Sequence, residues 1–182
     1  MKVKEADILI VPGFGDSGAG HWQTRWQSRL STARRMHHPD WESLDPQVWT
    51  DALAASVNIS DRPVVLVGHA LGVTSIIAAR ERFTSPVAGA FLVAPPDIAG
   101  SPAMPPELRG FGAYDREPLP FPSILIASRN DLYCSIDTAE DLGGAWGSLF
   151  IDAGEAGHID AEAGYGPWPE GSMTFASFLS RL

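Results

Sequence analysis

The chain has 182 residues, about the length of one ordinary domain. Apolar residues make up 45% of it and charged residues 19%, a globular composition that excludes intrinsic disorder. Its 22 Asp and Glu against 13 Lys and Arg give a formal charge of −9, which argues against nucleic acid and anionic lipid surfaces as partners, because affinity there comes from clustered cations.

Short β-branched runs alternate with helix-like stretches, the pattern of strands joined by crossover helices into a parallel sheet. Residues 7–11, Asp-Ile-Leu-Ile-Val, read as a first strand ended by Pro12-Gly13, and their apolar character predicts burial on both faces. Residues 21–30 read as a helix with Trp22, Trp26 and Leu30 on one face. Residues 33–37 give a weaker strand signal. Asp45-Pro46 supplies an N-cap and a first-turn proline for a helix through about Val57. Residues 63–67 are the clearest central strand, followed by a sharp turn over 68–72 and a helix over 73–82 rich in Ala and Ile. A strand over 87–94 stops at Pro95-Pro96, and the proline-rich residues 97–122 read as a long surface connection. A strand over 123–128, a helix over 136–145, a short strand over 148–151 and a helix over 171–182 complete the chain. The whole, residues 1–182, reads as one doubly wound α/β domain without a large cap domain.

The single cysteine, Cys134, excludes an internal disulfide and a Cys-rich zinc site, and it fits a reducing compartment. The apolar runs fall far short of the ~20 residues of a membrane span, and no signal-peptide core precedes Pro12. A cytoplasmic protein that meets no membrane is expected. His21, His37 and His38 have no metal-ligand spacing with nearby carboxylates, so neither metal nor cofactor is expected.

In open parallel sheets ligands bind beyond the carboxyl ends of the strands. The polar residues just after each predicted strand are therefore the candidates. They are Gly13-Phe14-Gly15-Asp16-Ser17-Gly18, Gly68-His69-Ala70-Leu71-Gly72, Arg129-Asn130-Asp131 and Glu155-Ala156-Gly157-His158. Asp131 and His158 are two thirds of a hydrolytic triad, in the nucleophile–acid–base order of α/β-hydrolases. Gly68-x-x-x-Gly72, between a strand and a helix, matches the nucleophile elbow G-x-S-x-G except at its centre. There Ala70 stands, with no atom that can attack a carbonyl.

Five segments taken in order resemble the small serine hydrolases related to retinoblastoma-binding protein 9. They are Val11-Pro-Gly-Phe-Gly, Gly20-His-Trp-Gln-Thr-Arg-Trp, Gly68-His-Ala-Leu-Gly, Ser128-Arg-Asn-Asp-Leu-Tyr-Cys and Gly157-His-Ile. The resemblance implies a single-domain α/β-hydrolase-like three-layer sandwich. It places the nucleophile position at Ala70, the acid at Asp131 and the base at His158. In a serine-bearing form the reaction is acyl transfer on carboxylic esters or small acyl compounds, with an oxyanion hole from the backbone N–H groups of Leu71 and Phe14. With alanine there, the chain is expected to be inactive or nearly so. Two explanations stand for the alanine: a replaced serine, or natural loss of catalysis leaving a protein that binds a ligand or partner in the same cleft.

Other readings compete at each position. Asp152 is the rival acid but reads as structural. His69 is expected to pack or hydrogen-bond rather than act as base, and Ser17 to form a turn. Cys134 is a remote substitute nucleophile, and Trp22 and Trp26 read as core. Gly13-x-Gly15-x-x-Gly18 also fits a dinucleotide fingerprint, but Asp16 would face the pyrophosphate.

Overall fold

Strands and helices alternate along the chain in a computed structural model, which describes residues 1–182. The order is β1 (Asp7–Val11), α1 (Trp22–Arg29), β2 (Ala33–Arg35), α2 (Pro46–Asn58), β3 (Val64–His69), α3 (Leu71–Ala79), β4 (Val87–Val93), β5 (Ser123–Ala127), α4 (Ile136–Trp146), β6 (Leu149–Asp152) and α5 (Pro169–Leu179). The six strands form one sheet in the order β2-β1-β3-β4-β5-β6, and every pair is parallel.

Side chains alternate across a strand, so each apolar run feeds two cores. Ile8 and Ile10 of β1, Val65 and Val67 of β3 and Phe91 and Val93 of β4 pack with Trp22 and Trp26 of α1 and Phe175 and Phe178 of α5. Leu9 and Val11, Leu66, and Ala90 and Leu92 face the other way. They meet Leu53 and Val57 of α2, Val73 and Ile76 of α3 and Leu142 and Trp146 of α4. The result is a single α/β domain with helices on both faces of the sheet. No helix is long and apolar enough to cross a membrane.

Helix starts follow local chemistry. The Asp45 side chain accepts the Gln47 N–H at the head of α2, with Pro46 in the first turn, and Ser135 accepts the Thr138 N–H at the head of α4. Two segments depart from the sequence reading. The helix expected over 73–82 begins at Leu71 and ends at Ala79, tightening into a 3-10 turn over Arg80–Arg82. There the Arg80 guanidinium folds back onto the Ile77 carbonyl at 2.7 Å, supplying a donor for one of the carbonyls that a helix end leaves free. The connection over 97–122 is also more built than its composition implied. It carries a 3-10 turn, Pro106–Phe111, and buries Ile98, Met104 and Phe121.

Candidate active site

The strand order reverses between β1 and β3, since β2 lies on one side of β1 and every later strand on the other. That reversal opens a crevice beyond the carboxyl ends of the two strands. A cleft of about 440 Å³ lies there, bordered by Phe14 after β1, by Ala70 and Leu71 after β3, and by His158 after β6. Met104, Pro105 and Leu108 of the proline-rich connection form one wall.

The turn from β3 into α3 is as tight as its glycines imply. A Cβ on Gly72 would lie 2.1 Å from the Val11 carbonyl oxygen and 2.7 Å from that of Pro12, both backbone atoms that cannot yield. On Gly68 it would meet Ile76 Cδ1 at 2.7 Å. Between them Ala70 is held at φ 50°, ψ −122°, a conformation that costs a non-glycine residue about 1–3 kcal/mol. Gly13 keeps the space beside it open, for a Cβ there would stand 3.1 Å from the Ala70 methyl. Leu71 opens α3, so its N–H has no acceptor within the helix. The Phe14 N–H makes no hydrogen bond within the chain.

Asp131 and His158 meet. The His158 Nδ1–H donates to Asp131 Oδ2 at 2.9 Å, and the Asp131 carboxylate, only 3% exposed, also accepts the Tyr133 N–H at 2.9 Å. Asp131 stands behind His158 rather than in the cleft wall. Bonding through Nδ1 leaves the Nε2 of His158, a ring that is 17% exposed, free for chemistry.

The histidine is also held through its backbone. The His69 Nε2–H donates to the His158 carbonyl at 2.9 Å, and the Trp22 Nε1–H donates to the Ile159 carbonyl at 2.9 Å. Ile159 is buried at φ 50°, a genuine outlier for a β-branched residue, so these bonds hold a strained turn. A second clamp joins the loops that carry the acid and the imidazole. Asn130 Oδ1 accepts the Gly157 N–H at 2.7 Å, and Ser128 Oγ accepts the Ala156 N–H at 2.9 Å while donating to Asn130 Oδ1. Asn130 stood among the candidates, but its clamping role, that of Ser128 and the polar duty of Trp22 were not foreseen; the Ser128-Arg-Asn-Asp run was the available signal for the first two.

Three imidazoles stand in a row, with His69 centred 4.8 Å from His21 and 5.0 Å from His158. Burial pushes His69 well below the ordinary histidine range, so it remains a neutral donor. Burial, aided by the nearby Arg35 and His158, brings His21 down to about 4; its Nδ1 accepts the Gln23 N–H at the head of α1. The remaining candidates fall outside the chemistry. Asp152 pairs with Arg129 at 2.7 Å, Ser17 donates to Gln23 Oε1 at 2.6 Å, and Asp16 is engaged by Arg35. Cys134 is buried and its thiol is pushed up to about 12, so it carries no thiolate at neutral pH.

A constrained elbow, an acid–imidazole pair and two free amides at the switch point of a parallel sheet coincide with a family match: the serine hydrolase model covers residues 8–177. The chain belongs to the serine hydrolase family. A YdeN-like hydrolase from Pectobacterium atrosepticum is 32% identical over 96% of this chain and 91% of its own, with a TM-score of 0.85. The ydeN gene product of B. subtilis is 19% identical over 97% of this chain and 99% of its own, at a TM-score of 0.77. A deformylase of Pseudomonas putida, determined as a serine-to-alanine variant, shares the fold at 15% identity and a TM-score of 0.67, over 93% of this chain and 90% of its own. No match was found among curated proteins. At the centre of this tight turn the chain carries alanine, a side chain with no nucleophilic atom.

Proposed function

We propose that this hydrolase fold serves acyl transfer on carboxylic esters or small acyl compounds, with residue 70 as the nucleophile position, and that Ala70 silences it. The reading rests on one observation: the Asp131–His158 hydrogen bond stands beside a cleft whose wall holds residue 70 in a strained elbow. With serine at 70, His158 Nε2 takes the hydroxyl proton as Oγ attacks the carbonyl carbon, and the C=O electron pair moves to the oxygen. The Leu71 and Phe14 N–H groups donate to that oxyanion. On collapse the ester C–O bond breaks, and His158 returns its proton to the leaving alcohol. Water, deprotonated in turn by His158, then releases the acid from the acyl-enzyme. Asp131 keeps the proton on Nδ1 and stabilises the imidazolium.

The methyl of Ala70 can do none of this. Retention of both glycines, the acid, the imidazole and the free amides favours a replaced serine, the kind of substitution the deformylase neighbour carries. The motif likeness to the retinoblastoma-binding protein 9 group points to the same residues. The second reading is a binding protein that keeps the cleft without the reaction, and Ala70 itself is the observation in its favour. Ala70→Ser separates them. Assayed on p-nitrophenyl acetate, it is expected to raise kcat by about 10⁴–10⁶-fold over the parent chain. A folded Ala70→Ser protein as inert as the parent supports the silent binder instead.

A further inference from the structure

A second cleft shares no lining residue with the elbow cleft and lies between the N-terminal residues, α1, the loop before α5 and α5 itself. It measures about 560 Å³, within the range of small-molecule sites. Half of its lining is apolar: Trp26, Trp168, Phe175 and Leu179 contribute, and the two tryptophans are 6% and 7% exposed. Its charged residues are Lys2, Arg25 and Arg29, with no Asp or Glu among them, in a chain with nine more acids than cations.

Those cations are all unpaired. Seven of the thirteen Lys and Arg side chains contact carboxylates, and half of the six that do not, Lys2, Arg25 and Arg29, gather at this cleft. Arg25 is half-buried and its Nε is sealed from water without an acceptor. It is seated under Gly166, where a Cβ would come within 3.3 Å of that Nε. The indole N–H groups of Trp26 and Trp168 likewise have no acceptor in the chain. The cleft therefore offers donors without acceptors around an apolar floor. A planar guanidinium beside an apolar surface suits an anion that carries a hydrocarbon tail.

We propose that this cleft binds an amphipathic carboxylate, a medium-chain fatty acid in chemical class. The tail lies on Trp26, Trp168 and Phe175, and the head group meets Arg25 and Arg29, with Lys2 at the rim. Scattered in sequence, these three cations are assembled by the packing of α1 against α5 and the chain start. The site is independent of the reaction at residue 70 and holds in a chain with Ala70.

Calorimetric titration of the full chain with sodium dodecanoate below its micelle concentration tests it. Saturable binding is expected, weakened by raised salt and by at least tenfold in Lys2→Glu/Arg29→Glu, a pair of exposed residues outside the core. Dodecyltrimethylammonium, with the same tail and a cationic head, is expected to bind at least tenfold more weakly than dodecanoate. Ala176→Trp, which fills the cleft from an exposed helix position, is expected to abolish binding and covers the case in which the double variant fails to fold. Dodecanoate affinity unchanged in the folded variants overturns the proposal, as does equal binding of the cationic surfactant. Sedimentation with phosphatidylglycerol vesicles in the absence of any binding of monomeric dodecanoate overturns it in favour of a membrane surface.

Discussion

The two clefts of this molecule are built from adjoining sides of one aromatic cluster and carry opposite charge. The cleft at the elbow is bordered by Asp16, Asp160 and Glu162 and by no lysine or arginine; the cleft between α1 and α5 is bordered by Lys2, Arg25 and Arg29 and by no acid. Trp22 stands between them. Its ring packs on Trp26 and Trp168, centred 4.8 and 5.0 Å away, while its N–H holds the Ile159 carbonyl beside His158. A protein of net charge −9 has thus sorted its surface. An acidic rim disfavours anions at the elbow cleft, and a basic cleft elsewhere favours them. Local potential, not net charge, decides what each cleft accepts.

Changes confined to one cleft test that separation, and the largest effects belong to the elbow. In the Ala70→Ser background, His158→Ala or Asp131→Asn is expected to lower kcat about 10⁴-fold on p-nitrophenyl acetate. Lys2→Glu/Arg29→Glu is expected to leave kcat within twofold; a large loss there would join the two sites.

Next comes pH. His21 borders the elbow cleft and titrates near 4 when folded, against 6.5 in a free chain. Between those values the unfolded state binds more protons, so stability is complete above about pH 6.5 and declines as pH falls toward 4. His21→Asn keeps an N-cap acceptor and removes this contribution, which is worth roughly 3 kcal/mol at most. Denaturant melts of parent and variant at pH 7 and 4.5 read the difference, and parallel losses in the two proteins would refute it.

Trp22→Phe retains ring packing toward both clefts but frees the Ile159 carbonyl. Displacing the imidazole in this way is expected to lower kcat about tenfold in the Ala70→Ser protein with KM little changed. A change in KM alone would place Trp22 in substrate binding instead. The smallest effect concerns substrate charge: kcat/KM for a neutral p-nitrophenyl ester is expected to exceed that for its hemisuccinate counterpart several-fold at low salt, and to converge with it at high salt.

What the sequence made legible was local. The elbow shows as two glycines four apart between a strand and a helix, and the apolar runs show as a parallel sheet. Asp131 and His158 stand out because each follows a strand, where an open sheet keeps its ligand side. The clamps on His158 were not legible, since Trp22 and Ile159 are 137 positions apart and nothing in a tryptophan's neighbours says its N–H will meet a strained carbonyl. Residues 97–122 read as surface because proline hides periodicity, although Met104 and Leu108 come to wall the cleft. The cationic cleft was invisible for a similar reason: Lys2, Arg25 and Arg29 form no run, and only docking of α1 on α5 gathers them.

In the proposed mechanism residue 70 is a nucleophile position served by His158. Labelling the Ala70→Ser protein with a fluorophosphonate and mapping the adduct by peptide mass tests it most directly. One stoichiometric adduct on residue 70 is expected, lost when His158→Ala is added. A folded protein that stays unlabelled, or one labelled at a different residue, would contradict it.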